Sequence, residues 1–283
     1  MSMFYMGCAM WGFPKWGGSI FPRGTTGTTC LKYYAKNFSC VEGNTTFYAV
    51  PSEHLLQEWA LNTDEEFRFL LKIPKAYSHE GELWPQYVKM LSFVEHCNNH
   101  LRSKLGPLLL QLPPSYTAAY GEDLASLLNA WRAGSDHPIA VEFRHGSWFH
   151  PPYRERVDLM LKRMKLSRVI LDTRAVYESE PMHPCKKPYL PVHFEPTADI
   201  AFIRYISHPV SEQNKRYMEE WADRIKDYLS QGKTVYFFVH CPQEEHTPDL
   251  VRYFDRVLRR KEIDIPPARW ETAPAFPKQQ RLF

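Results

Sequence analysis

No uncharged apolar stretch in this 283-residue chain approaches the ~18 residues that a bilayer crossing needs, so no transmembrane helix is expected. The N-terminus, MSMFYMGCAMWGF, has no basic stretch ahead of an apolar run, which argues against a secretory signal. Cysteines are few and scattered. The six, at 8, 30, 40, 97, 185 and 241, form no CxxC pair, which excludes a disulfide frame or a cysteine zinc site and fits reduced thiols in the cytoplasm. Charge of one sign is also lacking. A net charge of +3 neither requires nor excludes nucleic acid, so placement matters more than the sum. There is no HExxH, no GxSxG elbow, no Walker loop and no GxGxxG after the first apolar run. Internal repeats and low-complexity tracts are absent as well.

What is present is a recurring short apolar run. Eight occur: FYMGCAM from Phe4, SCVEG from Ser39, FRFLLKI from Phe67, GPLLLQL from Gly106, PIAVEF from Pro138, RVILDT from Arg168, IAFIRYI from Ile200 and KTVYFFV from Lys233. Several are apolar almost throughout, as strands buried on both faces are. Segments with helical spacing separate them. Leu55, Leu56, Trp59 and Ala60 share one face, as do Val88, Leu91 and Val94, and Tyr217, Met218, Trp221, Ile225 and Tyr228. This alternation predicts an α/β fold, specifically a single-domain TIM-like (β/α)8 barrel over residues 1–264, with a doubly wound sheet as the alternative. Between the sixth and seventh strands, 174–199 carries five prolines and little helical period, which predicts a long loop across one face. Residues 265–283 are proline-rich and predict an extended tail.

In such a barrel the site lies where strands end. The ends supply Glu42, Asn44, Thr46 and Tyr48 after the second strand, then Lys72 and His79 after the third. Gln111 follows the fourth, and Glu142, Arg144, His145 and Trp148 follow the fifth. Asp172, Thr173 and Arg174 close the sixth, Arg204 and His208 belong to the seventh, and His240 and His246 to the eighth. Glu42, Asn44 and Thr46 are spaced two apart, as are Glu142 and Arg144, so each set faces one way along an extended chain. Arginine forks suit phosphate or carboxylate, and Trp11, Tyr48 and Trp148 can stack on a flat group. An anionic ligand with a flat part is the expectation: a phosphate, a nucleotide or nucleic acid. Glu142 or Asp172 as general base with His79 or His145 as acid is the catalytic pattern expected of an enzyme. An ion-pair network with no ligand is the alternative. No metal site is expected, and nothing in the sequence names a cofactor.

The segments YMGCAMWGFPKW, YYAKNFSCVEGNTTFYAVPS, FRFLLKIPKAYSH, LGPLLLQLPPSY, AVEFRHGSWF and RVILDTR together resemble the YecE-like family of uncharacterised bacterial proteins, over nearly the whole chain. The resemblance implies a TIM-barrel-like fold and supplies no activity. The barrels of that family are loosely similar to those of xylose isomerase and endonuclease IV, but the zinc ligands of the latter have no motif-by-motif counterpart here. The terminal Gln279-x-x-Leu282-Phe283 resembles the bacterial sliding-clamp-binding peptide, in which an apolar pair enters a pocket and the glutamine bonds at its rim. Three functions follow. One is a phosphodiesterase-like hydrolase brought to DNA by the clamp, with Lys186, Lys187 and Arg174 on a basic rim. The second is a metabolic enzyme for a small phosphorylated or carboxylated substrate, and the third is a non-catalytic adaptor.

Overall fold

The computed structural model describes residues 3–265. Among them, strands and helices alternate. The strands are β1 (Phe4–Cys8), β2 (Cys40–Gly43), β3 (Arg68–Leu71), β4 (Leu108–Gln111), β5 (Ile139–Glu142), β6 (Ser167–Arg168), β7 (Ile170–Asp172), β8 (Ile200–Ile206) and β9 (Thr234–His240). The helices are α1 (Thr28–Tyr34), α2 (Glu53–Leu61), α3 (Lys75–Ser78), α4 (Tyr87–Leu101), α5 (Gly121–Gly134), α6 (Tyr153–Met164), α7 (Arg174–Tyr177), α8 (Lys215–Ser230) and α9 (Thr247–Arg260). Every one of the eight apolar runs carries a strand. The sixth is split at Val169, so that β6 pairs with β5 and β7 pairs with β8. α2 and α8 follow the expected spacing, whereas α4 does not: Val88 is 68% exposed, and the buried stripe runs through Met90, Phe93, Val94, Cys97 and Leu101. Ser52 caps α2 by accepting from the Leu55 amide at 3.3 Å, and the helix buries Leu56 and Trp59. α8 buries Tyr217, Met218, Trp221 and Ile225 along one stripe.

Among the described residues all strand pairs are parallel, and the ladders form three sheets, ordered β1-β9-β8-β7, β2-β3 and β4-β5-β6. A continuous closed ladder, as the sequence predicts, is not found among the described residues. The breaks have local causes. β3 and β4 meet only through single bridges, Phe69 with Leu105 and Lys72 with Leu109. Pro107 lies between those bridges and has no N–H to donate. At the seam between β1 and β2 one backbone bond remains, from the Ser39 amide to the Met6 carbonyl at 3.2 Å, and the return bond goes to a side chain, the Met6 amide donating to Ser39 Oγ at 2.9 Å. There the backbones nearly touch. A Cβ on Gly7 would stand 2.1 Å from the Cys40 carbonyl oxygen, so only glycine fits.

The three sheets nevertheless share one inner apolar cluster: Tyr5, Cys40, Leu70, Leu109, Ala140, Val169, Phe202, Tyr236 and Phe238. The larger core lies between sheets and helices. Strand side chains repeat every second residue. Two positions beyond Cys40, Leu70, Leu109, Ala140, Phe202 and Phe238 stand Glu42, Lys72, Gln111, Glu142, Arg204 and His240. The same face that is apolar at one level is therefore ionic at the next.

Between α7 and β8 the expected long loop is present, with no regular element over 178–199. Ile265, which the sequence places in the extended tail, is still buried in the main core. The predicted partner-binding residues Gln279, Leu282 and Phe283 lie outside the described residues. No helix among the described residues is long and apolar enough to cross a membrane.

Candidate functional site

Arg204 stands at the centre of the ionic layer and is fully buried. Its Nε and Nη2 donate to the two Glu42 carboxylate oxygens, each at 2.7 Å, and its Nη1 donates to Glu142. This bidentate fork on β8 joins β2 to β5. Asn44 Nδ2 donates to the same Glu42 at 2.8 Å, and His240 Nε2 lies 3.1 Å from its other oxygen. On the opposite flank Lys72 Nζ donates to Gln111 Oε1 at 2.8 Å, and Gln111 Nε2 donates to Glu142 at 2.7 Å. Arg144 closes the chain, with Nη1 3.4 Å from Gln111 Oε1 and Nε 3.8 Å from Glu142. Its Nε is buried and has no hydrogen-bond partner among the described residues. Arg144 Nη2 also reaches the Lys186 carbonyl at 3.3 Å, which ties the long loop over the site. The neighbouring Lys187 brings a further cation into the field of Glu142 and Glu42.

The charges do not balance. Lys72, Arg204 and the half-buried Arg144 and Lys187 face Glu42, Glu142 and Glu244, four cationic groups against three acids. Burial pushes both glutamates up, but Arg204 and its neighbours more than reverse this and hold them below the usual carboxylate range. The cations bear the imbalance. Burial and then the Arg204 charge bring the Lys72 amine down to about 7. Arg204 and then burial bring Lys187 down to about 8. Burial lowers His240 to about 4 in spite of Glu42. Burial together with Lys72 and Arg144 lowers His79 to about 4. Positive charge is thus in excess around a largely buried layer, and one guanidinium nitrogen there is left without a hydrogen-bond partner among the described residues.

Some of the predicted residues do not join this network. Asp172 is buried, but it faces the helical layer: it pairs with Arg174 at 2.9 Å and accepts from Trp221 Nε1 on α8 at 2.8 Å. Arg174 bridges Asp172 to Glu220 at 2.9 Å and so holds that outer layer rather than the mouth. Trp148 is buried, stacks on Tyr116 and donates to its carbonyl at 2.8 Å, a packing role. His145 caps the turn at 146–149 through Ser147. Thr46 spends its hydroxyl on the Lys72 carbonyl at 2.7 Å. Tyr48 is 82% exposed and meets Phe47 edge to face. Thr173 donates to the Pro188 carbonyl. His208 is tied to the Val210 amide, and His246 is exposed.

Three residues at the site escaped a reading by strand ends. Phe47 presents its ring 3.6 Å from Lys72 Nζ and 5.0 Å from the His79 ring. Lys187, expected on an outer basic rim, is half-buried and lies within the field of Glu142 and Glu42. Glu244, in the loop after β9, is raised to about 7, chiefly by burial, and feels both Glu42 and Lys187. The signal for Glu244 was present in HCPQEEH, an acid directly after a strand end.

Beside the network opens a cavity of about 780 Å³. Trp11, Phe21, Leu55 and Trp59 give it an apolar wall, and Thr25, Thr45, Thr46 and Ser52 also line it, with the Thr46 hydroxyl already bonded to the Lys72 carbonyl. The turn at 44–47 separates the two spaces. It sends Asn44 to Glu42 and Phe47 to Lys72, while Thr45 and Thr46 line the cavity.

Comparison with known proteins adds a family context. The family model described as "Protein of unknown function DUF72" matches residues 5–275. The chain is 32% identical over 292 aligned residues to the UPF0759 protein YecE of Escherichia coli K12, covering 99% of this chain and 100% of that one. It is 29% identical over 170 residues to the UPF0759 protein YunF of Bacillus subtilis, covering 56% and 57%. Among solved structures, a DUF72 family protein of Enterococcus faecalis superposes with a TM-score of 0.69 at 18% identity, covering 91% of this chain and 96% of that one. A DUF72 family protein of Thermotoga maritima superposes with a TM-score of 0.65 at 20% identity, covering 89% and 99%. At these identities the structures speak for the fold alone.

Proposed function

The chain belongs to the DUF72 family, and from that premise we propose that it binds a small phosphorylated or carboxylated molecule within the Lys72–Arg144–Lys187–Arg204 cluster. The single observation that carries this is the excess of cationic groups over acids around a largely buried layer. We further take the three sheets as sectors of one (β/α)8 ring whose strand ends define the mouth. The inner cluster drawn from all three supports that ring. The burial of the network, with Glu42 and Arg204 at 0% exposure, favours a small ligand over a duplex. Lys72, poised near neutrality, is the group placed to give or take a proton there, ahead of Asp172 and His145.

Sulfate is the suitable probe, because its charge is constant between about pH 6 and about pH 9, so only the protein titrates. A bound anion favours the ammonium forms. Affinity is therefore full below about 7 and is lost as pH rises through about 7 and about 8, where Lys72 and Lys187 lose their protons. Calorimetry of sulfate binding is expected to show this fall, and Lys72→Met to weaken binding at pH 6 by about tenfold, the loss of one charged hydrogen bond. Affinity independent of pH and unchanged in Lys72→Met would refute the site.

A second reading has its own observation, the Gln279-x-x-Leu282-Phe283 pattern. It makes the protein a DNA-associated hydrolase recruited by a sliding clamp. Leu282→Ala with Phe283→Ala is expected to abolish capture on immobilised clamp, and capture that persists would dismiss this reading without touching the anion site.

A further inference from the structure

On the outer face of the molecule, where α2 meets α4, a second cluster stands apart from the anion site. His96 and His100 are four residues apart on α4, which places them on one face of the helix, one turn apart. Their rings lie 5.5 Å apart, inclined at 70°. Glu53, the first residue of α2, extends into the same space. One donor atom from each of the three lies within 4.8 Å of the others. We propose that Glu53, His96 and His100 bind a divalent transition metal, of which zinc suits the donors best.

The hydrogen bonding supports this independently. His96 Nε2 is 2.7 Å from the Pro51 carbonyl oxygen. A carbonyl only accepts, so the hydrogen sits on Nε2, and in the neutral ring the free lone pair is on Nδ1. This is the supporting bond that metal-binding histidines usually carry, with one nitrogen donating to a carbonyl and the other facing the ion. The donor set argues for the class of metal. Two imidazoles and one carboxylate suit zinc and its neighbours, whereas calcium and magnesium ask for oxygen. Zinc holds such donors at ~2.0–2.2 Å, so atoms across it stand roughly 3.4 Å apart. The remaining closure is a small rotation of half-buried rings and an exposed glutamate. Three protein donors leave a fourth position for water. The two histidines come from α4 and the glutamate from α2, so the ion would clamp one helix to the other.

The test uses the full chain, stripped with a chelator and titrated with zinc against a chromophoric competitor. One equivalent should bind with a dissociation constant on the order of micromolar or tighter. His96→Gln with His100→Gln should lose that equivalent. Glu53→Gln should weaken it by at least the ~10-fold that loss of a mere supporting partner costs. Glu53 is exposed, so this variant should keep the fold, and circular dichroism checks it. Zinc should also raise the melting temperature of the parent protein and leave that of the double histidine variant unchanged. Calcium at the same concentration should shift neither. The proposal is overturned by equal zinc stoichiometry and affinity in parent and variants, or by a calcium shift as large as that of zinc. Five of the six cysteines are buried, so they do not compete for zinc in the folded protein.

Discussion

Replacing Arg204 with methionine is expected to cost about 3–5 kcal/mol of folding stability, the usual cost of leaving buried charges without their partner. Arg204 binds Glu42 with two donors and Glu142 with a third, and all three side chains are at most 1% exposed. Methionine fills a similar volume, so the loss reports on the two stranded carboxylates and little on packing. Lys72, Arg144 and Lys187 offset part of that loss but do not replace the fork. The pH dependence identifies the cause. In the variant the folded-state pKa of each glutamate rises above its unfolded value, because burial is no longer countered by Arg204. A raised carboxylate pKa means that the folded state binds more protons, so the variant gains stability relative to the parent as pH falls. Urea titrations at neutral and acid pH measure both effects. Adding Glu42→Gln and Glu142→Gln to Arg204→Met should recover much of the loss, and this triple variant remains informative if the single one does not fold. A cost below ~1 kcal/mol for Arg204→Met would mean that the cluster is hydrated and the site is an ordinary surface network.

The strands and the heart of the site were legible because their signals are local and periodic. Glu142 and Arg144 keep the two-residue phase along a straight strand end, and both join the network. Asn44 keeps it too, reaching Glu42. Thr46 does not, because the chain leaves the extended form at 44 and winds into a turn, which breaks the period. Asp172 failed for a different reason. VILD is apolar up to its last residue, so parity has no polar mark to anchor it, and the break at Val169 hides the phase further. The register of β7 against β8 pairs Leu171 with Arg204 and Asp172 with Tyr205, which turns the aspartate to the helical layer. Sheet closure was not legible either. Eight strands imply a ring by count, but whether neighbours form ladders depends on single residues at the seams, such as Pro107 and Gly7. Lys187 lies well inside a segment with no period, and only the path of that loop across the mouth brings it to Glu142.

The parent protein is expected to lose stability between about pH 6.5 and about pH 4 through His240. Buried beside Arg204, this ring titrates near 4 in the folded state against 6.5 for an ordinary histidine. The unfolded chain therefore binds a proton across that window that the folded one refuses, and stability falls as pH falls. From pH 7 to pH 4.5 the loss assigned to His240 is about 2–3 kcal/mol, at 1.36 kcal/mol per unit of pKa difference. His79, His137 and His193, also lowered, add to the total slope, so the parent curve alone does not isolate it. His240→Gln does, since glutamine keeps a donor for Glu42 and does not titrate. Urea midpoints at a series of pH values should show the parent-to-variant difference closing by that amount, and an unchanged slope would remove His240 from the ionic layer. The same ring connects stability to the proposed ligand. Burial is the main cause of the lowered His240 pKa, and an anion held among Lys72, Arg144 and Lys187 would offset the smaller part due to Arg204 and Lys187 and so raise it. Saturating sulfate should then flatten the acid slope of the parent protein and leave that of His240→Gln little changed. A slope equally steep with and without sulfate would separate the histidine from the proposed anion site.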